Sequence, residues 1–221
     1  ARGVLESIVS ALNTSVGGRQ LFSGTAVKTA PLASADRLLS ELKTGLAAAT
    51  SPADAAALAD DFFNSPGGGF ETLIYQGASE GLAPVRLGAG EAADLNLRAN
   101  HSAFRETLTL VSRAAGADDP GLALAPSDRL AVIKGAMDGL LAGKDARVAL
   151  QADLGVAEER IDKARSRIES ETTALKMARN ELLAIDPFEA ATELQGVQSQ
   201  LETLYEVTAR TSRLSLANFL S

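Results

Sequence analysis

The sequence predicts a mainly α protein with a small inserted α+β domain: a long antiparallel helical bundle or coiled-coil core, and an outer domain carrying a short antiparallel sheet. Three observations predict it. Leu154, Ile161, Ile168, Leu175 and Leu182 recur every seven residues, the spacing of a helix that packs along one narrow seam. Apolar residues make up 46% of the chain but aromatics only 4%, so the core rests on Ala and Leu, which favours helix–helix packing over a sandwich. Between these helical stretches, Gly-rich breaks separate short segments whose apolar residues alternate.

Taken in order, Val4, Leu5, Ile8, Val9 and Leu12 predict an amphipathic helix over residues 1 to about 14. Gly17-Gly18 stops it and opens the loop GGRQLFSGT. Pro31 and Ser34 introduce a helix over roughly 35–49 with Leu38, Leu39, Leu42 and Leu46, and Ser51-Pro52 starts an Ala-rich one through about Phe63. SPGGG at 65–69 breaks the pattern. ETLIYQG, APVRLGAG and AADLNLRA then read as three short strands, with Val85/Leu87 and Leu95/Leu97 in alternation. A helix returns over 101–115 with Phe104, Leu108 and Val111 on one face, DDPG at 118–121 is a turn, and Pro126-Ser127-Asp128 is expected to cap the next helix.

The heptads follow. The alternate seam positions are Leu150, Ala157, Ala164, Glu171, Ala178 and Ile185, so Glu171 is the one charge on the seam. A helix over 145–185 would run roughly 60 Å and, with so narrow a stripe, needs a partner helix. Residues 1–14 are one candidate partner and a segment preceding the chain is another. Asp186-Pro187 interrupts the helix, after which Leu194, Val197, Leu201 and Leu204 restart the spacing. A second stripe, Tyr205, Ala209, Leu216 and Phe219, lies about 100° away, so this last helix is expected to be buried among several neighbours or unfolded.

Chemistry is harder to find. A net charge of −7 disfavours nucleic acid, and the absence of cysteine excludes disulfides and thiolate metal sites. Any Ser–His–Asp triad would need His101, the sole histidine, which opens a helix and suits a surface or capping role. Asp60-Asp61 and Asp118-Asp119 are adjacent pairs without calcium-loop spacing. GAGEAA at 88–93 lacks the third glycine of a dinucleotide loop, and GLLAGKDA has the wrong residue after Lys144 for a phosphate loop. Glu158, Glu159, Glu169 and Glu171 lie on an exposed helix with no pocket for paired-carboxylate chemistry. Catalytic, cofactor-binding and metal residues are therefore all expected to be none.

Two stretches carry a resemblance. The ending LETLYEVTARTSRLSLANFL is similar to the C-terminus of the flagellin superfamily, most of all its hook–filament junction proteins, and LNTSVGGRQLFSGT resembles the same group's turn after the first long helix. YQG, VRLGAG and AFRETL resemble, more weakly, its outer-domain strands. The resemblance implies a structural subunit exported unfolded by the flagellar type III apparatus to the extracellular flagellum. Its partners would be itself, hook-associated protein 1, flagellin and an export chaperone on the C-terminal helix, with no nucleic acid and no membrane span. By residue, Gly18, Arg19, Leu21, Phe22 and Gly24 match the turn signature. Leu214, Ser215, Leu216, Phe219 and Leu220 match the assembly terminus, which Leu201 and Leu204 approach. The tail lacks the Gln/Asn-rich approach of filament flagellins, and the chain starts in mid-rhythm without Met, as a fragment lacking the N-terminal helix would.

The expected division is 1–24, the end of a core helix and its turn; 25–126, the inserted outer domain; 127–186, long core helices; and 187–221, the assembly helix. Filament flagellin is the nearest alternative function, and a secreted coiled-coil adaptor or effector a further one. The apolar tail is expected to stay frayed until neighbouring subunits cover it.

Overall fold

The computed structural model describes residues 1–88, 90–117, 119, 124–183 and 187–219. Most of the DDPG turn (118, 120 and 121), Ile185 and Asp186, and Leu220 lie outside the described residues. The chain divides into two units, Ala1–Arg165 and Ser166–Ser221.

Helix α1 (Arg2–Leu12) buries Leu5, Val9 and Leu12, one face at helical spacing. After Asn13, where the sequence predicts a loop, the chain makes a hairpin. Strand β1 (Ser15–Val16) pairs antiparallel with β2 (Arg19–Gln20) across Gly17 and Gly18, with φ of 59° and 75°. Two successive positive φ angles are what a tight primed hairpin turn requires, and glycine supplies them without Cβ strain. Helices α2 (Ala35–Leu46) and α3 (Pro52–Asn64) begin as expected: Ser34 Oγ accepts from Arg37 N–H, and Ser51 Oγ from Asp54 N–H with Pro52 in the first turn.

The expected first strand is not one. Phe70–Ile74 forms a π-helical turn closed by Tyr75 N–H donating to the Phe70 carbonyl at 2.7 Å, and Tyr75 keeps a single bridge to Leu32. Ring packing overrides the weak local pattern here, since Phe63 stacks on Phe70 and Phe70 on Tyr75. Strands β3 (Val85–Gly88) and β4 (Glu91–Ala93) pair antiparallel. Leu95 and Leu97, expected in a strand, lie beyond β4. Asp94 Oδ1 accepts from Asn96 N–H at 2.9 Å and Leu97 N–H donates to the Leu95 carbonyl, local bonds that compete with a ladder.

Helix α4 (Ser102–Gly116) is the centre of the first unit, packing against α1, α2, α3 and α5 (Pro126–Ala142). Leu38, Leu42 and Leu46 meet Phe63, Phe70 and Leu108 in its core. The cap expected at Pro126-Ser127-Asp128 is also corrected: Ala125 is the N-cap, no side chain among the described residues caps the helix, and proline occupies the first turn, where its missing N–H costs nothing. As a partner for the heptad helix, residues 1–14 are overturned, because α1 packs on α4 and α2 instead. Helix α6 (Lys144–Leu183) starts after Gly143 and runs 40 residues, and α7 (Pro187–Phe219) runs 33.

Candidate assembly surface

The turn-signature residues divide by role. Gly18 makes the hairpin turn, while Arg19 and Leu21 are exposed. Phe22 packs edge-on against Phe104, and its carbonyl accepts from Ala99 N–H. Gly24 has φ of 62°, and a Cβ there would collide with the Glu80 carbonyl oxygen. On either side, Ala78 N–H donates to the Ser23 carbonyl and Thr25 N–H to that of Glu80. Arg98 donates to the Ser79 carbonyl, and Tyr75 Oη to that of Ala78 at 2.8 Å. Burial pushes the Tyr75 phenol above its ordinary value, against the pull of Arg98. The signature thus pins the 78–80 loop to the first unit. Asn13, four residues before the glycine pair, adds a clamp on Leu32.

The heptad seam changes character along α6. In the first unit Leu150, Leu154, Ala157, Ile161 and Ala164 are the covered positions. Leu87 of β3 and Ala93 of β4 pack with Ile161 and Ala164, and Leu95 and Leu97 line an open cavity of about 270 Å3 with Leu150 and Leu154. This chain's own small hairpin therefore takes the place of a partner helix there. Nothing local in the sequence marks Leu87 and Ala93 as seam partners; the one signal is the Val85/Leu87 alternation, which points Leu87 to a buried face. From Ile168 on, the seam is bare: Ile168 is 49% exposed, Leu175 71% and Leu182 86%.

On α7 the predicted stripe is likewise open, with Leu194, Val197, Leu201 and Leu204 all exposed. Of the two states expected of such a helix, buried among several neighbours or unfolded, the unfolded one is corrected. Its backbone is helical through Phe219, yet its described side chains are solvent-facing. Each residue added to a helix of this length brings a further backbone bond, and the apolar stripe is left exposed. Leu220, and the side chains of Leu214, Leu216 and Phe219, lie outside what the structure describes. Electrostatics here is ordinary surface pairing, such as Glu206 with Arg210 at 3.6 Å and Glu159 with Lys163 at 2.6 Å, the latter holding the Glu159 carboxyl below its usual value. Among the described residues no cluster of three or more acidic or histidine side chains could hold a metal, and no helix is long and apolar enough to cross a membrane.

Two long helices thus follow one another, and α7 and the later part of α6 each carry an exposed apolar stripe. Residues 145–220 match the family model of the bacterial flagellin C-terminal helical region. The match covers α6 and α7, about a third of the chain, and supports the flagellin superfamily. No curated protein and no solved structure matches the chain. The flagellin family is structural rather than enzymatic and belongs to the extracellular flagellar filament. A flagellin-type C-terminal region therefore points to a flagellar structural subunit that assembles with others of its kind.

Proposed function

We propose that this chain is a hook–filament junction subunit, of the hook-associated protein 3 type, that self-assembles through the open stripes of α6 and α7. One observation carries the reading: within the flagellin-type region, Ile168, Leu175 and Leu182 on α6 and Leu194, Leu201 and Leu204 on α7 sit at regular helical spacing and are all exposed. Burying such side chains is worth roughly 1.5–3 kcal/mol each, which neighbouring subunits supply and an isolated chain forgoes. Its partners in this reading are copies of itself, hook-associated protein 1 and flagellin. The α7 stripe is also where an export chaperone would hold the chain for type III export. The division into 1–24, 25–126, 127–186 and 187–221 then becomes core turn, outer domain, core helices and assembly helix. Arg19 and Leu21, exposed beside the hairpin, are contact residues toward a neighbour, and Leu214, Leu216, Phe219 and Leu220 close the assembly helix.

The tail's lack of a Gln/Asn-rich approach favours the junction over the filament. Quantitative labelling of the chain on isolated flagella tests this: a few copies at the filament base fit the junction, and thousands along its length make it a filament flagellin.

A further inference from the structure

The bare part of the α6 seam contains one charge. Glu171 holds a seam position between Ile168 and Leu175, and like them it is exposed. A helix laid on Ile168, Leu175 and Leu182 covers Glu171 as well, and a carboxylate covered by an apolar side chain is costly. The partner must therefore be apolar along its stripe, with a polar residue at one fixed place. Helix α7 has that pattern. Leu194, Val197, Leu201 and Leu204 follow 3–4 spacing, and the next two positions of the same stripe are Thr208 and Thr211. Charge agrees: Arg165, Arg167 and Arg179 flank the α6 seam, whereas α7 carries four glutamates and no Lys or Arg from Pro187 through Ala209. Two α7 helices side by side would bring acid against acid, and two α6 helices in parallel register Glu171 against Glu171.

We propose that the α6 stripe of one copy takes the α7 of another, antiparallel, with Glu171 opposite Thr208; the pairing rests on the self-assembly reading and specifies its contact. In this register Leu175 faces Leu204, Ala178 faces Leu201 and Leu182 faces Val197, while Ile168 meets the methyl group of Thr211. The Thr208 hydroxyl donates to the Leu204 carbonyl at 2.7 Å, and as a rotor it can turn that proton to the carboxylate. A one-heptad shift sets Glu171 against Leu201, and parallel alignments set it against Ala190, Val197 or Leu204, all apolar. The opposite antiparallel shift carries Val197 past Leu183, the end of α6. The register also selects a second copy over the chain's own α7. Helix α7 starts at Pro187, just after α6 ends, so the closest heptad-matched hairpin sets Leu175 against Val197 and Glu171 against Leu201. Bringing Thr208 to Glu171 within one chain would unwind the start of α7. Each copy thus gives α7 to one neighbour and receives α7 from another, a heterologous contact that repeats along an assembly.

The chain has no cysteine, so engineered thiols report the register without background. Purified Leu175→Cys chain is mixed with Leu204→Cys chain, or with Val197→Cys chain, and mildly oxidised; one thiol per chain makes every disulfide intermolecular. All three positions are exposed, so the variants keep the fold. The Leu175/Leu204 combination should give about fivefold more mixed disulfide than Leu175/Val197, the scale set by leaving a carboxylate against an apolar side chain. With Glu171→Leu added to the first chain, the two combinations should become equal. Preference for Leu175/Val197 or for like-with-like disulfides overturns the pairing, as does a preference that Glu171→Leu leaves unchanged. Disulfide in no combination overturns it too, and sedimentation then separates the two failures: an associating chain keeps self-assembly, and a monomeric one loses both.

Discussion

Asn13 and Leu32 hold one another by two hydrogen bonds: Asn13 Nδ2 donates to the Leu32 carbonyl and its Oδ1 accepts from Leu32 N–H, both at 2.9 Å. An amide side chain just past the end of α1 thus satisfies both backbone groups of a residue that is 2% exposed. The same chain segment carries the Tyr75 bridge on Leu32 and the cap at Ser34. Asn13→Ala leaves two buried backbone groups unsatisfied, so a loss of about 3 kcal/mol in unfolding free energy is expected. Urea denaturation followed by circular dichroism reads it, and a loss below about 0.5 kcal/mol would remove the clamp from the account.

Gly24 and Gly17 separate two reasons for glycine. Both have positive φ, but a Cβ on Gly17 meets open space, whereas one on Gly24 meets the Glu80 carbonyl. Gly17→Ala should therefore cost about 1 kcal/mol of conformational strain, and Gly24→Ala about 3 kcal/mol or more, with displacement of the 78–80 loop. Equal melting temperatures for the two variants would contradict the close approach.

Asp54 gives a pH dependence with a definite sign. The Thr50 hydroxyl, first, then the Ser51 hydroxyl and the Thr50 N–H, hold its carboxyl below the ordinary value of 3.8. With its folded value depressed, the unfolded chain takes up the proton first as pH falls. The stabilisation is complete above 3.8 and is lost as pH drops through the lower folded value. Asp54→Asn should flatten the decline of the unfolding midpoint in that acid window. An unchanged slope would show that these bonds do not differ between folded and unfolded chain.

Ser112 is fully buried on α4, and its hydroxyl oxygen has no hydrogen-bond partner among the described residues. Ser112→Ala removes an unsatisfied polar atom without opening a cavity, so a gain of about 1 kcal/mol is expected. Calorimetry that finds the variant less stable than the parent would assign that hydroxyl a partner.

The helices were legible because their signals are local. Ser34, Ser51 and Pro52 mark starts, and the Leu38–Leu46 face carries its own period. The sheet was less so. Whether Phe70–Ile74 extends or coils depends on Phe63 and Tyr75, which no short window contains, and the strand pattern at Leu95 and Leu97 yielded to the side chain of Asp94. The seam is the most instructive case. Its seven-residue period was plain from Leu154 to Leu182, yet the period is silent about what covers it. Leu87 and Ala93 cover its first part through a long-range contact, and nothing in the spacing separates Ile161, covered, from Ile168, bare.

The central claim is that the bare stripe serves other subunits rather than this chain's own core. Substituting Leu201→Asp and Leu204→Asp together in the gene, in an otherwise unchanged flagellated cell, tests it most directly. Both side chains are exposed, at 47% and 64%, so the melting temperature of the purified chain should stay within about 2 °C of the parent, while its incorporation into flagella is lost. Normal incorporation of the doubly substituted chain, with melting unchanged, would contradict the account.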